Sequence, residues 1–79
     1  MNTTEFIQSK IADVEQSIKS REEVAGLLRT ATAKEWRESG GAKSKAERMR
    51  EAEIEAKIIA KLKNELAHYQ SLLKILPPP

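Results

Sequence analysis

Six basic residues, Lys34, Arg37, Lys43, Lys45, Arg48 and Arg50, are crowded into the middle of the chain against only Glu35, Glu38 and Glu47. With Trp36 among them, they form the one stretch whose composition suits recognition of something else. Clustered Lys and Arg attract phosphate, RNA or an acidic protein surface. Free backbone amides at the start of a following helix would add to that pull. The competing reading is an ordinary solvated turn, with Trp36 plugging a thin end of the fold. Over the whole chain the net charge is only +2, too little to imply nucleic acid without the local cluster.

Catalysis has less to draw on. There is one histidine, His68, and no cysteine. A seryl or threonyl nucleophile needs a positioned base and a group to orient that base. No such set can be assembled from these residues. Carboxylate pairs such as Glu51 and Glu55 arise routinely where 33% of residues are charged. Ser39-Gly40-Gly41 lacks the spacing of a phosphate-cradling glycine loop. The expectation is a protein that is not an enzyme and holds no cofactor and no metal.

Arg21 is the most unusual single position, because it interrupts an otherwise apolar line of residues. A charge at such a place fixes register or oligomer number at some cost in stability. Glu65 is the partner the sequence suggests for it. Alternatively, Arg21 lays its aliphatic stem over apolar surface and keeps its charge in water.

The elements that carry these residues are helices. Ile7, Ile11, Val14, Ile18, Arg21, Ala25 and Leu28 recur in steps of four and three, a heptad rhythm. Asn2 can cap the first helix, with Glu5 three residues on completing a capping box. The spacing predicts helix over about 3–39, a turn at 40–43 built on Gly40-Gly41, and a second helix over about 44–76. Ser44-Lys45-Ala46-Glu47 repeats the capping box at the second start. Pro77 cannot continue a helix, so 77–79 reads as a solvated proline tail. Each helix would hold roughly 35 residues and run ~50 Å.

The fold class expected is therefore all-α: an antiparallel, coiled-coil-like two-helix hairpin over residues 1–76. Phe6 and the first seam fall within an arc of about 140° at ~100° per residue. Ile58, Ile59, Leu62, Leu66, Tyr69, Leu72, Leu73 and Leu76 span a similar arc on the second helix. A single neighbouring helix covers a narrower stripe than that. Four helices would cover it, so a dimer of hairpins forming a four-helix bundle is favoured over other oligomers. Its core would hold Ile7, Ile11, Val14, Ile18 and Arg21 with Ile58, Leu62, Leu66, Tyr69 and Leu73. The bulky pairs gather at the open end. Toward the turn stand small residues, among them Ala25, Gly26, Ala52 and Ala56, which let backbones approach but bury little area each.

Seventy-nine residues without a cysteine can form only one small domain, with no disulfide to steady it. Self-association or unusually good helix packing are the remaining ways to add stability. No apolar run approaches the ~20 residues of a membrane span. The start, Met1-Asn2-Thr3-Thr4-Glu5, lacks the features of a signal peptide, which makes the cytoplasm the expected location. The function expected is binding: an adaptor, regulator or inhibitor of a larger protein. A phosphate or nucleic-acid binder using the basic turn, and a structural assembly component, are the alternatives.

Overall fold

A computed structural model describes residues 2–30, 34 and 44–76. It contains two long helices, α1 (Thr3–Thr30) and α2 (Lys45–Ile75), and no strand among the described residues. Both begin as the sequence predicts. The Glu5 amide donates to Asn2 Oδ1 at 2.8 Å, and the Phe6 amide closes the first helical turn on the Asn2 carbonyl at 3.0 Å. Ser44 stands in extended backbone and its Oγ accepts from the Glu47 amide at 3.2 Å. Each capping side chain thereby satisfies an amide that has no partner within its helix. At the far end Leu76 turns extended, and its amide still bonds the Leu72 carbonyl at 3.1 Å. Residues 31–33 and 35–39 of the expected first helix, the turn at 40–43 and the tail at 77–79 lie outside the described residues.

The helices lie side by side in a rod 53 Å long and 19 by 14 Å across. Ile7, Val14, Ile18, Ala25 and Leu28 of α1 are buried, all members of the heptad seam. On α2 the buried residues are Arg48, Ala52 and Ile59. Val14, Ile18, Ala25 and Ile59 form one cluster, against which Leu62, Leu66 and Tyr69 pack. Stepped by threes and fours, Arg48, Ala52, Glu55, Ile59, Leu62, Leu66, Tyr69 and Leu73 make the matching seam on α2.

Burial is deepest at Ala52, 1% exposed, Ala25, 2%, and Leu28, 3%, whereas Leu62, Leu66, Tyr69, Leu72 and Leu73 are all half-buried. The bulky open end is covered unevenly, since Ile7, Val14 and Ile18 of α1 are buried there. A methyl side chain on the seam is covered fully by one neighbouring helix, whereas most longer side chains of the α2 seam are covered only in part. Phe6 departs from expectation. It sits at the edge of the projected arc and is 49% exposed, with Lys10 Nζ over its ring at 5.4 Å from the centroid.

Candidate functional site

Of the six basic residues and Trp36 singled out above, Trp36, Arg37 and Lys43 lie outside the described residues, and Lys34 is exposed. Lys45 and Arg50 are exposed near the start of α2, as a surface patch requires. Arg48 is not part of such a surface. It is 5% exposed and its Nε is buried. The cause is its place in the helix: Arg48 is four residues before Ala52 and seven before Glu55, so it falls on the inward seam rather than beside Lys45 and Arg50. The basic character of this end is thus split between a buried guanidinium and an outward-facing pair.

Arg21 occupies the middle of the α1 seam, half-buried, and it has a partner. Its Nη1 donates to both carboxylate oxygens of Glu55, at 3.2 and 3.0 Å. Glu65, the partner expected from the sequence, is exposed and takes no part in this pair. The Arg21 side chain keeps 42% of its surface and Glu55 20%, so this charge pair is partly wet. Such a pair is cheap to maintain and adds little net stability, yet it defines which residues stand opposite one another. Glu55 was legible in principle, since it lies four residues before Ile59 on the same stepping. A seam read from apolar residues alone stops short of it.

The residues expected at an oligomer core divide into two groups. Ile7, Val14 and Ile18 are already buried within one chain. Ile11, Ile58, Leu62, Leu66, Tyr69 and Leu73 remain half-buried. Beyond them, five large apolar side chains are largely in solvent: Phe6, Val24, Leu27, Ile54 and Ile75, from 49% to 77% exposed. Single exposed apolar residues are unremarkable on any protein. Among the described residues these five stand beside six half-covered apolar ones.

The two long sides of the rod differ. On one side, Glu15, Lys19, Glu22 and Glu23 of α1 meet Lys63 and Leu66 of α2 around an open groove. A second, smaller groove continues it, lined by Glu22, Arg29, Ala56, Ile59, Ala60 and Lys63. Lys63 Nζ reaches Glu22 Oε1 across the pair of helices at 3.8 Å. Both partners are more than half exposed, so water and salt screen that bridge strongly. His68 is exposed, and its ring lies 6.0 Å from that of the adjacent Tyr69. Neither the grooves nor the histidine brings together a nucleophile and a base. No helix among the described residues is long and apolar enough to cross a membrane. No protein-family model matches the sequence, and no curated protein or solved structure is significantly similar to it.

Proposed function

We propose that the chain is an antiparallel helical hairpin that associates with itself and works by binding a larger protein as an adaptor, regulator or inhibitor, without catalysis. The antiparallel arrangement is supported by its cross-contacts. Val14 and Ile18 share a cluster with Leu66 and Tyr69, whereas Arg21 reaches back to Glu55. Early residues of α1 meet late residues of α2, and later ones meet earlier ones. Two helices of this length then need only a short connection.

Self-association is carried by one observation: two helices packed along their length leave Leu62, Leu66, Tyr69, Leu72 and Leu73 half-covered and five more large apolar residues exposed. A chain this small has little stability to spare, and covering that surface is its available source of more. Sedimentation equilibrium at micromolar concentration tests the reading. The expected result is a dimer or larger, with a melting temperature that rises with protein concentration. A monomer that melts cooperatively at every concentration overturns it.

A further inference from the structure

We infer that one long side of the rod is the contact face between two copies of this chain, and that the opposite, charged side remains outward. The inference rests on the self-association proposed above and adds which surface performs it.

The seams of the two helices leave each with two flanks. The Glu22–Lys63 bridge and the two grooves join Glu15, Lys19, Glu22 and Arg29 of α1 to Ala56, Ala60 and Lys63 of α2 on one side. The other two flanks must then share the opposite side. On α1 that flank runs through Phe6, Lys10, Asp13, Ser17 and Val24 in steps of three, four and seven. On α2 it runs through Ile54, Ile58, Lys61, Glu65 and Leu72. Three large exposed apolar residues, Phe6, Val24 and Ile54, fall on this side, while Leu27 and Ile75, each two and a half turns beyond a seam residue (Ile18 and Leu66), point away from the neighbouring helix. None of these five lines the grooves.

The face suits a second copy rather than a partner of other chemistry for three reasons. Its apolar residues form two patches, Phe6 with Leu72 at one end and Val24 with Ile54 and Ile58 at the other. Between them lies a polar band holding Lys10, Asp13, Lys61 and Glu65, two charges of each sign. A strongly acidic or basic partner would find no net charge to match there. A second copy of the same face sets apolar ends on apolar ends and a balanced polar band on its like, the self-complementarity that a two-fold contact requires. The size is also compatible. A contact spanning the whole 53 by 19 Å face would bury no more than about 2,000 Å² over both copies, a ceiling that reaches the ~1,200–2,000 Å² typical of stable complexes.

The test combines charge insertion with labelling. Val24→Lys with Ile54→Lys introduces charges on the apolar face, and Glu23→Lys with Ala60→Lys does so on the groove side. Sedimentation equilibrium on full-length protein should show the first pair shifted to the monomer mass and the second pair still associated. Should the first pair fail to fold, single cysteines decide the matter in a chain that has none of its own. Val24→Cys and Ile54→Cys should react with iodoacetamide at least ten-fold more slowly than Ala60→Cys in the associated protein. Equal labelling on the two sides, or an oligomer unaffected by the Val24 and Ile54 lysines, overturns this assignment while leaving self-association standing. A monomeric wild-type chain removes both.

Discussion

Arg21 and Glu55 form a two-pronged pair, with one guanidinium nitrogen donating to both carboxylate oxygens at 3.0 and 3.2 Å across the seam between the helices. Each occupies a position that the heptad rhythm would give to an apolar residue. Removing Arg21 alone takes from Glu55, 20% exposed in the pair, the guanidinium that both its oxygens accept from. Arg21→Leu should therefore lower the melting temperature rather than raise it. Arg21→Leu combined with Glu55→Leu should raise it above the wild type, because two apolar side chains suit the seam better than a partly wet ion pair. A double-mutant cycle should give a coupling of about 1 kcal/mol, in keeping with a pair that retains water contact. Additive effects of the two single changes would show that the pair contributes nothing. If the pair also sets oligomer number, the double variant should sediment at a changed mass.

The Arg21–Glu55 pair also shows where sequence reading reaches its limit. Ile7, Ile11, Val14, Ile18, Ala25 and Leu28 announce the α1 seam because most of them are branched apolar residues at regular spacing, and five of these six are buried. The α2 seam continues through Glu55, Ala52 and Arg48, where side-chain chemistry gives no hydrophobic signal, and only its spacing reveals it. By sequence Arg48 groups with its chain neighbours Lys45 and Arg50, whereas in space it belongs with Ala52 and Glu55 on the seam. The wide apolar arcs were legible as well. Their division into an inward seam and an outward flank depends on how the two helices rotate toward one another, and residues such as Phe6 and Ile58 sit near the boundary.

Gly26 gives a substitution that should improve the protein. It lies inside α1, and a Cβ built there would meet nothing within 4 Å. The close approach between backbones expected at this small residue does not occur at Gly26. The glycine therefore costs helix stability with no packing return, about 0.5–1 kcal/mol relative to alanine. Gly26→Ala should shift the urea midpoint upward by that amount without changing the slope of the transition. A loss of stability would mean that a contact with another copy or partner uses the space.

Ala52 predicts the opposite behaviour at a residue of nearly the same size. At 1% exposure its side chain is fully covered on the seam. Ala52→Leu forces extra methylenes into filled space and should cost about 1–3 kcal/mol. Ile59→Ala, at a 9% exposed member of the core cluster, should cost about 2–5 kcal/mol by leaving a cavity. Chemical denaturation of both variants reads these values. A neutral Ala52→Leu would show that the seam has room there.

The last prediction separates structure from binding at the start of α2. Arg48 is 5% exposed, so Arg48→Glu buries a carboxylate where a guanidinium was held and should cost at least about 1–3 kcal/mol. Lys45 and Arg50 are exposed, and reversing them to Glu should leave folding intact. Lys45→Glu should even stabilise slightly, by about 0.3–1 kcal/mol, because a negative charge in the first turn suits the helix dipole. Circular dichroism melts distinguish the two outcomes. With the folded Lys45→Glu, Arg50→Glu variant in hand, binding can be assayed without a stability artefact. If this end of the rod contacts phosphate groups, affinity of the wild type for single-stranded RNA should fall steeply with salt, as counterion release requires, and the double reversal should abolish it. If the working surface lies elsewhere, wild type and variant should bind a protein partner equally, and salt should matter little. Binding that is lost only in Arg48→Glu would trace to unfolding of the α2 seam, since that variant alone alters the buried face.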